Sequence, residues 1–231
     1  MRISSVAMDK MWANREDRLN IQKSGRNIVV KPGWRESESD FRDIVFKIDS
    51  GPAFGTGTHP TTCLCIDMIE KYLNPGDSFL DVGTGSGILM IAAAKLGAGN
   101  IFGIDKSKVA VEAAQKNFLL NNLDPTRFAV KTGNLLEGIE GRFEVVAANI
   151  LPEIIIKLLE NIQGVLKENG IFICSGLIEG NTHRVLNKMK TLGFELLETL
   201  EKERWISIAA RLKKGAERCT NTLLRNTVVA Q

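Results

Sequence analysis

Histidine and paired cysteine are what this chain most conspicuously lacks. It has two histidines in 231 residues, and its four cysteines, Cys63, Cys65, Cys174 and Cys219, form no C-x-x-C pair. A tetrahedral zinc site needs several such ligands at close spacing, so no metal is expected, and scattered thiols suit a reducing compartment better than a disulfide framework. Charge of one sign is missing too: 30 Lys and Arg face 27 Asp and Glu, interspersed, for a formal net charge of +3. That is no electrostatic footprint for direct nucleic-acid binding. No apolar run approaches the ~18 residues of a membrane span, and Met1 to Val6 lack the apolar core of a leader. A soluble cytoplasmic protein is the expectation. There is no G-x-x-x-x-G-K-[ST], which argues against a nucleoside triphosphate on a glycine loop, and no internal repeat.

What is present centres on Leu80-Asp81-Val82-Gly83-Thr84-Gly85-Ser86-Gly87. A short apolar run ends in alternating glycines, and Ile88, Ile91, Ala92 and Lys95-Leu96 then recur at helical spacing. Gly83 and Gly85 can take backbone angles barred to other residues and let a ligand lie against the main chain. The free amides of the following helix would face that ligand, an arrangement suited to an anion. A second apolar run, Ile101 to Ile104, stops at Asp105, close to the ~20-residue distance from Gly83 expected of a ribose-binding acid in a βαβ unit. The dehydrogenase fingerprint wants a third glycine where Ile88 stands, so the spacing disfavours NAD.

The chain alternates strand and helix patterns. Strands are expected at about 78–82, 100–104, 127–131, 144–148 and 170–174, and helices at about 61–72 (started by Pro60), 86–96, 107–122, 152–166 and 179–192. Such alternation builds a parallel sheet covered on both faces. Ahead of it, two strands at 27–31 and 44–48 bracket Pro32 to Ser37 and are expected to form an antiparallel lead-in. Two final strands, at about 194–200 and 204–212, are joined too tightly for a crossover helix and must pair antiparallel. The segment Gly215 to Gln231 carries weak periodicity and is expected to be a frayed tail. Ligands of open α/β sheets lie outside the carboxyl ends of the strands, which collects Gly83, Asp105, Asn134 and Asn149 on one rim.

The glycine turn with Asp105 resembles the cofactor site of class I S-adenosylmethionine-dependent methyltransferases. Phe54-Gly55-Thr56-Gly57-Thr58-His59-Pro60-Thr61-Thr62, together with Ala148-Asn149-Ile150-Leu151, is more specific and is similar to the PrmA-type enzymes that methylate the large-subunit ribosomal protein numbered eleven. The resemblance runs over about residues 27 to 213. It implies a Rossmann-like, mostly parallel seven-stranded sheet with an antiparallel C-terminal hairpin, and a methyl transfer from S-adenosylmethionine to an amine nitrogen of a protein, with S-adenosylhomocysteine as product.

By the same resemblance, Gly83 and Gly85 carry the cofactor's backbone contacts, Asp105 accepts from its ribose hydroxyls, and Asn134 stands where the family more often has Asp near the adenine amino group. Thr62 lies at its methionine end and Phe54 packs over the site. Asn149 is the catalytic residue, its side-chain oxygen orienting the incoming nitrogen as well as contacting the cofactor. His59 is either a base or a packing residue beside Pro60, while Cys63 and Cys65 read as buried thiols. Pro152-Glu153 departs from the small residues expected after Leu151, which bears on the acceptor. PrmA-type enzymes also carry an amino-terminal substrate-recognition domain, which the ~50 residues ahead of Phe54 are too few to supply. The expected layout is a linker and strand lead-in at 1–50, a methyltransferase domain at 51–213 and a tail at 214–231. The alternatives are a small-molecule methyltransferase on the same core and a cofactor-binding module without turnover.

Overall fold

A computed structural model describes residues 22–24, 28–32, 44–49, 57 and 59–213. The expectations for Phe54, for the segment ahead of residue 22 and for the tail lie outside the described residues. Seven strands form the main sheet: β4 (Phe79–Val82), β5 (Ile101–Asp105), β6 (Phe128–Thr132), β7 (Phe143–Asn149), β8 (Leu166–Ile178), β9 (Phe194–Lys202) and β10 (Trp205–Leu212). Their order is β6-β5-β4-β7-β8-β10-β9. The pairs among β4 to β8 are parallel, whereas β10 runs antiparallel to both β8 and β9. After β4 the chain builds outward through β5 and β6, then returns to place β7 on the other side of β4. This reversal opens a crevice at the carboxyl ends of β4 and β7.

The helices are α1 (Pro60–Tyr72), α2 (Ile88–Lys95), α3 (Lys108–Leu120), α4 (Pro152–Leu159) and α5 (Glu179–Thr191). The two-residue period of the strands sorts their side chains between two cores. Phe79, Val145, Ala147, Ile171, Ile173 and Ala209 join α1 and α2 on one face. Leu80, Val146, Ala148, Phe172, Cys174 and Ile208 join residues of α4 and α5 on the other. Strands buried on both faces read as continuous apolar runs, which is why these were visible in the sequence.

Three smaller strands, β1 (Gln22–Ser24), β2 (Ile28–Pro32) and β3 (Ile44–Ile48), form a separate sheet. The lead-in is not the expected antiparallel pair: β2 and β3 run parallel, Ile28 opposite Ile44 and Val30 opposite Phe46, and β2 pairs antiparallel with the unexpected β1. The physical reason is burial. Ile28, Val30, Phe46 and Ile48 all belong to the core that α1 and α2 share, and the free edge of β3 is occupied by side chains of α3.

A second difference concerns the helix expected over 152–166. It ends at Leu159, a short 3-10 turn covers Ile162–Gly164, and β8 starts at Leu166. The apolar residues Ile162, Val165 and Leu166 continue a helical spacing but are buried one by one through the turn. Residues 167–170 of β8 then bulge opposite Glu144, between the pairs Phe143–Leu166 and Val145–Ile171.

Candidate functional site

The crevice between β4 and β7 is a cavity of about 630 Å³. The turn after β4 forms its floor. Gly83, Gly85 and Gly87 all have positive φ, at 78°, 55° and 80°. The space a side chain on Gly83 would need is taken by Ile150 Cγ2, at 2.5 Å from an ideal Cβ. The amides of Gly83 and Thr84 both donate to the Ile104 carbonyl, tying the turn to β5. Gly87 is the N-cap of α2, which therefore starts at the cavity.

Two carboxylates line this cavity in opposite conditions. Asp105 ends β5, and each of its oxygens accepts a main-chain N–H: Oδ2 from Gly85 at 3.0 Å and Oδ1 from Ser107 at 2.9 Å. Ser107, not Asp105, is the N-cap of α3. The acid is thus held facing the turn, and each oxygen keeps a further lone pair for a donor in the cavity. Asp81, inside β4, is 1% exposed. Its Oδ2 accepts from the Thr84 hydroxyl at 2.8 Å, whereas Oδ1 has no hydrogen-bond partner among the described residues. Burial pushes the Asp81 carboxyl up to about 7; the Thr84 hydroxyl opposes this and the charge of Asp105 adds to it. A buried carboxylate with an unsatisfied oxygen is costly unless a ligand completes it, and the completing group must be a cation or a hydrogen-bond donor.

Asn149 ends β7 and also lines the cavity. Its Nδ2 donates to the hydroxyl of Thr62 at 3.4 Å, which brings together two residues 87 positions apart in sequence. Thr62 is fully buried near the start of α1. With the Nδ2 group turned to Thr62, the Asn149 carboxamide oxygen is the atom offered as an acceptor. Asn134 is an exposed member of the lining, beside Gly133 and Leu135.

His59 is the N-cap of α1. Its Nδ1 accepts from the Thr61 amide at 3.4 Å and shares a hydrogen bond with the Thr61 hydroxyl at 2.8 Å. Its ring meets Trp205 edge to face, centroids 4.9 Å apart. Burial lowers the His59 pKa, Glu203 raises it and Arg204 lowers it further. His59 is thus engaged by the helix cap and by Trp205 while it also lines the cavity. Cys63 and Cys65 are both buried, and burial, with the charge of Asp81, pushes the Cys65 thiol up to about 12. Among the described residues no cluster of His, Cys, Asp or Glu could hold a metal ion.

Sequence reasoning gave no role to Asp81 and Trp205. An acid in the middle of an otherwise apolar, buried strand is itself a signal, because such a charge is retained only where something answers it. Trp205 reaches the rim because β10 is reversed: its first residue pairs with Ile178, the last of β8. On the same side Leu151 is 67% exposed and Pro152 starts α4, so the departure from small residues falls at the mouth.

The sequence profile of ribosomal protein L11 methyltransferase (PrmA) matches residues 2–213. The chain belongs to that family. It is 44% identical over 206 residues to the ribosomal protein L11 methyltransferase of Desulfosudis oleivorans, covering 88% of this chain and 68% of that protein. Identity to the same-named protein of Halalkalibacterium halodurans is 45% over 189 residues, 82% of this chain and 60% of the relative. The chain therefore spans roughly two thirds of the length of these family members. Among solved structures, the ribosomal protein L11 methylase of Lactobacillus delbrueckii subsp. bulgaricus superposes with a TM-score of 0.79 at 32% identity, covering 84% of this chain and 100% of that one. The fold is the Rossmann-like methyltransferase fold that the PrmA resemblance implied, antiparallel C-terminal hairpin included. A [4+2]-cyclase shares it at 17% identity and a TM-score of 0.56, so the architecture alone does not specify a reaction.

Proposed function

We propose that this chain transfers methyl groups from S-adenosylmethionine to an amine nitrogen of ribosomal protein L11, a lysine or the amino terminus, in the cytoplasm. Family membership supports the reaction and the protein acceptor. The observation that carries the cofactor assignment is the Oδ1 of buried Asp81, which no described residue pairs, in a cavity that also holds Asp105. S-adenosylmethionine presents an ammonium group, a sulfonium and a ribose diol, which suit a carboxylate starved of donors and a carboxylate already aimed by two amides. NAD would bring a pyrophosphate toward that buried acid instead, an unfavourable pairing.

When bound, S-adenosylmethionine supplies a methyl group on a positively charged sulfur. The protein's own contribution is alignment and removal of water, since the displacement needs no acid. Gly83 and Gly85 let a ligand approach the main chain, Asp105 takes the ribose, Asn134 accepts from the adenine edge, and Thr62 lies at the methionine end. Asn149 orients the acceptor: with Nδ2 engaged by Thr62, its oxygen accepts an N–H of the incoming amine and turns the nitrogen lone pair inward. A lysine with an ordinary pKa near 10.4 must lose its proton to react. The apolar mouth formed by Ile150, Leu151, Ile154 and Trp205 favours the neutral form by desolvation.

The test is incubation with labelled S-adenosylmethionine, first with purified ribosomal protein L11 and then with whole-cell extract before and after protease treatment. Label is expected on L11 and on a protease-sensitive band of the same mass. Label confined to protease-resistant small molecules refutes the protein acceptor.

A further inference from the structure

Asparagine is a poor helix former and is costly to bury without partners, yet Asn117 and Asn121 lie inside α3 and just past its last residue, exposed by 0% and 5%. Both turn their amides toward β3. Asn121 Oδ1 accepts from the Lys47 amide at 2.9 Å and its Nδ2 donates to the Lys47 carbonyl at 2.7 Å. Asn117 Oδ1 accepts from the Asp49 amide at 2.8 Å and its Nδ2 donates to the Asp49 carbonyl at 3.1 Å. The match is geometric: residues four apart on a helix are separated by about 6 Å, close to the ~6.6 Å between alternate residues of a strand. Two side chains thus read the β3 edge as a neighbouring strand would.

Only one of the two goes further. Asn117 Nδ2 also donates to the carbonyl of Ser86 at 2.8 Å, inside the glycine turn. Asn121 gives its second hydrogen bond to the Asn117 carbonyl, within its own helix. Next to Ser86 the contact leaves no slack, since an ideal Cβ on Gly87 would stand 2.9 Å from Ala114 Cβ, one turn before Asn117. The small sheet reaches this turn from a second direction as well: a Cβ on Gly57 would meet Val30 of β2 and Ile88 of α2.

We infer that Asn117 is a positioning residue for the cofactor, acting through Ser86: it fastens the three-stranded sheet to the glycine turn, so that the sheet shapes the cofactor site through that turn. The inference rests on the cofactor assignment above. Coupling of this kind is reciprocal, so the cofactor must also stabilise the docked sheet.

The test compares wild type, Asn117→Ala and Asn121→Ala by calorimetric titration with S-adenosylhomocysteine and by thermal melting. Both substitutions cut the sheet's tether and should lower the melting temperature. Asn117→Ala alone should weaken binding about tenfold, and Asn121→Ala by less than about twofold. If Asn117→Ala does not fold, amide exchange in the wild type decides: added S-adenosylhomocysteine should slow the Asp49 amide by a larger factor than the Lys47 amide. Equal binding by the two variants, or equal slowing at the two amides, overturns the coupling. A wild type that binds no S-adenosylhomocysteine overturns the cofactor assignment itself, and the coupling with it.

Discussion

Asp105 and Asp81 line the same cavity and end or cross neighbouring strands, yet one is supplied with donors and the other is deprived of them. Asp105 accepts main-chain amides on both oxygens, whereas Asp81 is buried with one oxygen left unpaired by the described residues and a carboxyl pushed up to about 7. The difference separates two ways of building a binding group. Asp105 is preorganised, so its contribution is rigid aim. Asp81 stores an unfavourable burial that a cationic ligand relieves, so its contribution exists mainly in the bound state.

Asp105→Ala breaks the comparison most severely. It removes the acceptor and also leaves the Gly85 and Ser107 amides without theirs, so S-adenosylmethionine affinity should fall by about 2–3 kcal/mol, read by calorimetric titration. Asp81→Asn keeps the size and removes the charge. Its loss of affinity should be smaller, about 1–2 kcal/mol at pH 8, and smaller still at pH 6, where the wild-type carboxyl is largely protonated.

The same variant sharpens the comparison through stability. A carboxyl raised to about 7 in the fold, against an ordinary 3.8, binds its proton more tightly when folded. The stability it contributes is present below the unfolded value and is lost as pH rises through about 7. The ligand-free wild type should therefore lose stability relative to Asp81→Asn between about pH 4 and 7, as measured by denaturant titration at several pH values. His59, whose pKa is lowered, acts in the opposite sense below about 6.5, but it is common to both proteins and cancels. Glu144, whose burial is outweighed by Lys167 and Ser78 so that it is held at about 2, changes stability below about pH 5 and likewise cancels.

Asn149→Ala should have the smallest effect on affinity, less than about 0.5 kcal/mol, while kcat falls at least about tenfold, because its oxygen is assigned to the acceptor. A parallel fall in affinity would place Asn149 with the carboxylates instead.

The sequence showed the main sheet clearly because strands buried on both faces are continuous apolar runs. It showed Asp105 because the acid stands at the tip of the strand beside a glycine turn, where a ribose diol needs an acceptor. The parallel pairing of β2 and β3 was not legible. It follows from burial of Ile28, Val30, Phe46 and Ile48 in the shared core, with the far edge of β3 taken by Asn117 and Asn121, about seventy residues downstream, whose amides give no periodic signal. The end of α4 was missed for the opposite reason, since Ile162, Val165 and Leu166 keep a helical spacing while burying against a turn. Asp81 left one sequence signal, an acid inside an apolar run, but the oxygen that no described residue pairs shows only in the fold, and Trp205 reaches the rim only through the reversal of β10.

The central claim is that a cofactor with a cationic end and a ribose bridges these two carboxylates. Calorimetric titration with S-adenosylmethionine, repeated between pH 6 and 8, tests it most directly. The predicted result is one saturable site whose affinity rises with pH through about 7 in the wild type and is nearly flat in Asp81→Asn. Absence of binding to S-adenosylmethionine alongside saturable binding of NAD would contradict it.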